Sequence, residues 1–282
     1  MSGKLYLCPT PIGNLGDITL RVLEQLKASD LIAAEDTRVS MKLLNHYGIN
    51  VPVTSYYEHN KREKGSYLIE KLKSGMNISV ITDAGMPGIS DPGEDLVRLC
   101  IREGIPVEAL PGPCAFATAL TASGMPAGRF SFEGFLTVNK KNRIEHLLSV
   151  KNNTETLIFY EAPHKLISTL KNMLEVFGDR RIVLAREITK RYEEYNRTTL
   201  SEALYYYEEN PPKGEFVLIV DGADKEELEK ERLDSLPSAE ELIRKYSKEG
   251  MKAKELTKRV ADELKQPRRD IYDLYLKLKE SL

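Results

Sequence analysis

One stretch constrains this chain more than any other. Ile78-Ser79-Val80-Ile81 runs directly into Thr82-Asp83-Ala84-Gly85-Met86-Pro87-Gly88-Ile89-Ser90-Asp91-Pro92-Gly93. The first four positions form an apolar, β-branched run and read as a buried strand. The segment behind them holds three glycines, two prolines and two aspartates, which is loop chemistry. Beyond Gly93, Leu96, Val97, Leu99, Cys100 and Ile101 recur at helical spacing. In an open α/β sheet, ligands sit in the crevice past the carboxyl ends of the strands, and this loop lies at such an end.

The rest of the chain repeats the strand–loop–helix pattern. Leu5-Tyr6-Leu7-Cys8 is a short strand broken by Pro9-Thr10-Pro11-Ile12-Gly13-Asn14-Leu15-Gly16, and a helix follows with Leu20, Leu23 and Leu26 on one face. Asp30-Leu31-Ile32-Ala33-Ala34 is a second strand, ending in Glu35-Asp36-Thr37-Arg38. The helix after it carries Met41, Leu44 and Tyr47 and stops at Gly48. Residues 58–73 hold the helix that precedes the strand at 78, and 106–110 form a strand closing on Pro111-Gly112-Pro113-Cys114-Ala115. Strands alternating with helices imply a mainly parallel sheet covered on both faces. The composition shift at Ser123-Gly124-Met125-Pro126-Ala127-Gly128 marks a domain boundary. Alternation continues beyond it, with strands at 155–160, 181–188 and 214–220, and with Leu166, Leu170 and Leu174 on a helix between the first two. The expected domains are therefore 1–122, 123–222, an acidic linker at 223–237, and a helical appendix at 238–282.

In that appendix, Ser238-Ala239-Glu240-Glu241 has the pattern of a capping box. Gly250 breaks the first helix, a second starts near Lys252, and Pro267 fits the first turn of a third. Residues 240–280 hold 12 Lys/Arg against 9 Asp/Glu, a net of +3 in a chain of net charge −2. The positive balance is thus concentrated at the C-terminal end. The three widely spaced cysteines, Cys8, Cys100 and Cys114, include no CxxC and fit free thiols in a reducing compartment. No apolar run reaches membrane-spanning length, and the first residues enter a strand without a signal-peptide pattern, so the cytoplasm is the expected location and no membrane partner is expected.

Several function classes lack their sequence marks. No GxxxxGK[ST] occurs, no GxGxxG follows the first strand, and no GxSxG elbow is present. The four histidines, His46, His59, His146 and His164, show no metal-ligand spacing, so no metal site is expected. What remains is three proline-glycine loops at strand ends: 9–16, 85–93 and 111–115. Proline lacks an N–H donor, and glycine lets backbone approach a ligand closely. Such loops offer mainly carbonyl oxygens, which suits a cation better than a phosphate.

Leu5-Tyr6-Leu7-Cys8-Pro9-Thr10-Pro11-Ile12-Gly13-Asn14-Leu15-Gly16-Asp17-Ile18-Thr19, Ala34-Glu35-Asp36-Thr37-Arg38, residues 83–93 and 110–113, and Tyr160-Glu161-Ala162-Pro163-His164 together resemble the tetrapyrrole-methylase superfamily. More narrowly they resemble its ribosomal branch, the 16S rRNA cytidine 2′-O-methyltransferases acting on the decoding region of the small subunit. The resemblance implies a class III S-adenosyl-L-methionine (SAM) methyltransferase fold of two α/β domains, with SAM in the cleft between them, and a homodimer. Position by position, it implies cofactor contacts from Ile12, Asp83, Gly85, Met86 and Ile89, backbone contacts from Cys114 and Ala115, and contacts from Tyr160, Ala185 and Phe216 of the second domain. Tetrapyrrole-acting members often carry Gly-Asp-Pro where this chain has Gly85-Met86-Pro87, which points to a different acceptor.

For such a reaction the protein must align a ribose 2′-hydroxyl and assist loss of its proton. Glu35 and Asp36 are expected to hold the acceptor ribose, Arg38 a phosphate, and His164 or Glu161 to assist proton removal. Arg186-Glu187 and Lys190-Arg191 form a further polar cluster, with Lys190 expected near the RNA. The appendix resembles the helix-turn-helix-like domain of the same branch, with Lys252, Lys254, Lys258, Arg259, Lys265, Arg268 and Arg269 as a phosphate-binding face. Two other readings stand beside this one: a precorrin C-methyltransferase, and a non-catalytic ribosome-binding protein that keeps the fold.

Overall fold

The computed structural model describes residues 2–234 and 236–279. The chain divides into two compact units, Met1–Gly222 and Ala223–Leu282. The first unit begins with strictly alternating elements: β1 (Leu5–Leu7), α1 (Leu20–Ala28), β2 (Leu31–Ala34), α2 (Thr37–His46), β3 (Val53–Ser55), α3 (Lys61–Lys73), β4 (Ile78–Ile81), α4 (Gly93–Arg102) and β5 (Val107–Ala109). These strands form one sheet in the order β3-β2-β4-β1-β5, every pair parallel.

β4 sits in the middle of that sheet and is buried along its whole length. Its side chains divide by the two-residue period of a strand. Ile78 and Val80 pack with Leu68, Leu72 and Leu96 of α3 and α4, and Ile81 packs on the other face with Val22, Leu26 and Leu44 of α1 and α2. Ser79, the one polar residue in the run, is fully buried but satisfied: its Oγ lies 2.7 Å from Ser29 Oγ and accepts from Cys8 Sγ at 3.4 Å. Burial pushes the Cys8 thiol up to about 11, as for an inert structural cysteine.

The second half of this unit contains α5 (Ala115–Ser123), β6 (Phe130–Phe135), α6 (Lys140–Val150), β7 (Thr156–Glu161), α7 (Pro163–Phe177), β8 (Arg181–Arg186), β9 (Glu194–Thr199), α8 (Leu200–Glu209) and β10 (Phe216–Val220). Its sheet order is β6-β7-β10-β8-β9. Unlike the first sheet it is mixed. β6 and β7 are parallel, but β10 runs antiparallel to both β7 and β8, and β9 is antiparallel to β8. β7, α7 and β8 form a crossover that leaves a gap between its strands, and the last strand fills the gap from the opposite direction. Every residue of β10 is buried, which explains its unbroken apolar run Phe216-Val217-Leu218-Ile219-Val220.

Three strands, β3, β6 and β9, carry no such run. All three are sheet edges, which need not be apolar. β6 is also interrupted by a register shift between Phe132 and Gly134. Helix α5 precedes the boundary expected at 122/123, yet it packs on the second sheet: Ala119 and Leu120 join Ile158, Val183, Val217 and Ile219 in one core. Its apolar, alanine-rich composition suits a helix laid flat on a sheet.

In the second unit, the acidic stretch expected as a linker carries a helix, α9 (Lys225–Asp234). Asp224 caps it by accepting from the N–H groups of Glu226 and Glu227, and Arg232 pairs with Glu229 at 2.7 Å. Good helix formers in a solvated segment need no apolar stripe for this. α10 (Ala239–Lys248), α11 (Ala253–Leu264) and α12 (Arg268–Leu278) enclose a small core of Leu242, Ile243, Tyr246, Leu256, Val260 and Ile271. The Ser238/Glu241 capping box is present, and Pro267 is the N-cap of α12, one position before the first turn. No helix among the described residues is long and apolar enough to cross a membrane.

Leu218 lies fully buried at the centre of β10. Leu218→Ala is expected to lower stability by roughly 2–5 kcal/mol. Urea unfolding should show a lower midpoint at an unchanged slope.

Candidate active site

The three proline-glycine loops meet at Gly85. Thr10 and Gly85 exchange both backbone hydrogen bonds at 3.0 Å, forming an isolated antiparallel bridge. Thr10 Oγ1 also donates to Thr82 O at 3.0 Å. Gly85 has φ +86°, and a Cβ there would stand 3.3 Å from Ile12 Cγ2 and 3.7 Å from Pro113 O. The positive φ calls for glycine, and the space toward Ile12 is tight as well. The rest of the 85–93 loop is closed by Asp91, whose carboxylate accepts from Gly88 N–H at 2.9 Å and Gly93 N–H at 2.7 Å. Partial burial raises the Asp91 carboxyl above its ordinary value, against the pull of those two N–H groups.

These loops form one wall of a cavity of about 480 Å³, whose other wall comes from the ends of β6, β7, β8 and β10. Strand register puts those ends together: Phe135 pairs with Tyr160, while Phe216 pairs with Glu161 on one side and Arg186 on the other. The N-terminus of α5 enters the same space through Cys114 and Ala115. The Tyr160 hydroxyl accepts from Phe116 N–H at 3.2 Å, so β7 caps that helix. Burial pushes the Tyr160 phenol up to about 12 and raises the Cys114 thiol as well.

The lining is strongly acidic. Glu35, Asp83, Asp91, Glu161, Glu187 and Glu215 face a single basic residue, Lys190. Glu35 Oε2 accepts from Thr82 Oγ1 at 2.8 Å. Asp83 Oδ1 accepts from Asp36 N–H at 3.1 Å, and partial burial together with the charges of Glu35 and Asp36 raises its carboxyl. Asp36 caps α2 and holds Arg38 through two side-chain bonds at 3.1 and 2.7 Å, with Arg38 driving its carboxyl down to about 2. Among the described residues, no group of three or more His, Cys, Asp or Glu side chains is arranged to hold a metal ion.

Of the cofactor contacts expected above, Ile12, Asp83, Gly85, Met86, Ile89, Cys114, Ala115, Tyr160 and Phe216 line the cavity; Ala185 does not. Ala185 is fully buried in β8, paired with Val217. Of the residues expected at the reacting group, Glu35 lines the cavity and Asp36 lies beside it, turned to Arg38. Glu161 also lines it, but its carboxylate is fully engaged: it accepts from Thr169 Oγ1 at 2.5 Å and Ala162 N–H at 2.8 Å, and pairs with Lys165 at 2.8 Å. His164 is exposed on the first turn of α7 and is not part of the lining. Lys190 lines the cavity, bound to Glu187 at 2.9 Å and Glu215 at 3.0 Å; Arg38 is exposed outside it. Lys258, Arg259, Arg268 and Arg269 are exposed on α11 and α12 of the second unit. Phe135 and Glu215 are lining residues that composition and periodicity do not reveal. A signal for Phe135 does exist: Phe130, Phe132 and Phe135 are crowded into one short segment.

A family model described as Tetrapyrrole (Corrin/Porphyrin) Methylases matches residues 4–204. This chain belongs to the tetrapyrrole methylase family. It is 47% identical over 274 residues to a protein of Bacillus subtilis (strain 168) named "Ribosomal RNA small subunit methyltransferase I", covering 97% of this chain and 94% of that one. A protein of the same name from Halalkalibacterium halodurans is 48% identical with the same coverage. Among solved structures, a uroporphyrin-III-C-methyltransferase from Thermus thermophilus superposes with a TM-score of 0.55 at 18% identity, covering 77% of this chain and 94% of that chain, a likeness of fold.

Methylases of this family use SAM, a cationic ligand with a carboxylate at one end, and the cavity suits it. The N–H groups of Thr10, Gly85, Gly88 and Gly93 are consumed within the loops, so the loop wall offers oxygens and carboxylates rather than a phosphate cradle. Asp83 and Glu187 supply negative charge, Ile12, Met86, Ile89 and Val217 an apolar surface, and the start of α5 a helix N-terminus for a carboxylate. Gly85→Ala strains the loop by about 1–2 kcal/mol and crowds Ile12. SAM binding, measured by calorimetry, should weaken by about tenfold while circular dichroism stays native; an unchanged affinity would remove Gly85 from the site.

Proposed function

We propose that this chain uses SAM to methylate a ribose 2′-hydroxyl, that of a cytidine in the decoding region of 16S rRNA. The reading rests on near-full-length similarity to relatives named as methyltransferases of small-subunit rRNA. The acid-lined cavity supports a cationic methyl donor. An rRNA substrate implies a cytoplasmic reaction, and the homodimer implied by the resemblance belongs to the same reading.

When bound, SAM supplies a methyl group already activated on a sulfonium. The chain's own residues then have to place the hydroxyl and take its proton. We assign proton acceptance to Glu35. Thr82 fixes its Oε2, no described residue bonds its Oε1, and the side chain lines the cavity. Asp36 keeps Arg38 at the rim for an RNA phosphate. Glu161, locked by Lys165 and Thr169, acts by holding the Tyr160 wall in place. His164, exposed outside the lining, is left to contact RNA. Glu35→Gln should lower kcat on 30S subunits by about 10²- to 10⁴-fold with SAM affinity retained. The same change should let the Asp83 carboxyl fall, because the Glu35 charge is one of the causes that raise it. Turnover unchanged in this variant would reassign the proton acceptor.

The second unit is assigned to the ribosomal substrate. Lys252, Lys254, Lys258, Arg259, Arg268 and Arg269 are all exposed, on α11 and the segments at its two ends. Arg259 lies over the Tyr246 ring at 4.4 Å, and Arg268 donates to Lys254 O at 2.9 Å. Lys265 is instead paired with Glu229 at 2.6 Å. Removing residues 223–282 should leave SAM affinity unchanged, weaken binding of 30S subunits, and flatten its salt dependence. An identical salt profile in both forms would exclude this role.

A further inference from the structure

The loop between β8 and β9 is built in a way that the reaction above does not require. Residues 187–193 make two successive turns, closed by Lys190 N–H to Glu187 O at 3.0 Å and Glu193 N–H to Lys190 O at 3.2 Å. Glu187 and Thr189 have φ of +51° and +66°, in the left-handed region that side chains rarely adopt. Proteins hold such conformations where neighbours over-determine them, and they cluster at ligand clamps. The neighbours here are explicit. Glu187 Oε1 accepts from Glu215 N–H at 3.1 Å, Lys190 Nζ bonds Glu187 and Glu215, and Thr189 N–H donates to Glu193 Oε2 at 2.7 Å.

These bonds also engage the loop's other charged groups. Lys190 sits between two carboxylates, Glu193 accepts from Thr189 N–H and keeps its charge, and Glu194 is paired with Arg186 at 2.6 Å. What the tip presents is Arg191 and Tyr192. Tyr192 is 67% exposed, the Arg191 guanidinium lies 5.6 Å from its ring centroid, and among the described residues Arg191 has no carboxylate partner. Lys190 lines the cavity, and two residues of chain put the Tyr192 Cα within about 7.6 Å of the Lys190 Cα. The mount thus holds an exposed aromatic ring, with a guanidinium that has no described carboxylate partner over it, on a tip two residues from a cavity-lining side chain. Proteins read single-stranded RNA with this pair of groups, stacking unpaired bases on aromatic rings and pairing guanidinium with phosphate.

We propose that Tyr192 and Arg191 form a stacking site for an unpaired nucleobase flanking the acceptor nucleotide, the base taking the ring and Arg191 an adjacent phosphate. The site rests on the rRNA reading above and adds to it a device that fixes the register of the strand, so that one ribose reaches Glu35. The chain contains no tryptophan, so Tyr192→Trp introduces a single fluorescent reporter. Titrating this full-length variant with 16S rRNA should quench the tryptophan. With 30S subunits as substrate, Tyr192→Ala should raise KM roughly 5- to 150-fold, the scale of one base–aromatic stack, with kcat and SAM affinity held. Tyr192→Phe, which keeps the ring, should restore KM. The inference is overturned by an unquenched tryptophan, by an unchanged KM in Tyr192→Ala, or by Tyr192→Phe failing as badly as alanine. It is equally overturned if Tyr192→Ala shifts the sedimentation coefficient and leaves KM alone, since the tip would then be a protein contact. If the parent chain binds SAM but methylates neither 16S rRNA nor 30S subunits, the rRNA reading itself falls and this site with it.

Discussion

The close approach of three loops at Gly85 is the contact on which the remaining structure of the site depends. The reciprocal bonds between Thr10 and Gly85 join the loop after β1 to the loop after β4, and Pro113 of the loop after β5 closes on the same glycine. β1 lies between β4 and β5 in the sheet, so parallel pairing brings these three loops out side by side. The bridge then sets where Asp83, Met86 and Ile89 stand relative to Ile12 and Cys114. Gly13 carries the contact onward: a Cβ there would meet Lys190 Cγ at 2.5 Å and Thr189 Oγ1 at 2.8 Å. The first loop thus lies directly against the Thr189 and Lys190 side chains of the opposite wall.

Electrostatics follows from how the loops use their own donors. Where a phosphate site would leave N–H groups pointing outward, this one turns them into the Thr10–Gly85 bridge and the Asp91 turn. Carboxylates then dominate the surface that remains, and a field of that sign favours a cationic occupant. Within that field the acids fall into distinct classes. Asp36 is held ionised by Arg38, Asp83 is pushed the other way by partial burial and by Glu35 and Asp36, and Glu161 is a buried structural pair with Lys165. Residues of one chemical type thus take separate parts through their immediate neighbours alone.

Much of this was legible in local pattern. The apolar runs at 31–34, 78–81 and 216–220 mark central strands, and each is buried throughout because both faces of the sheet are covered. The capping box at Ser238 and the break at Gly250 mark the helices of the second unit. The edge strands β3, β6 and β9 were not legible, although β5 was: β9, Glu194-Tyr195-Asn196-Arg197-Thr198-Thr199, has a polar composition because one of its sides pairs with nothing. With β6 went Phe135, and with the reversed direction of β10 went the placement of Glu215 at the cavity.

The sequence by itself determined which segments are core strands, which loops are rich in proline and glycine, and, through its motifs, the family to which the chain belongs. The tertiary structure alone decided which carboxylates are free. Glu35 and Glu161 both stand at or just beyond strand ends, yet one keeps an oxygen open to the cavity while Lys165, Thr169 and Ala162 consume the other. The loop that carries Tyr192 is held in the same way, by the bonds between Glu187 and Glu215. The reason is one of range. Periodicity and capping act over a few residues, whereas the bond that fixes Glu35 comes from Thr82, 47 residues away, and the short-range bonds of Glu161 follow no periodic pattern.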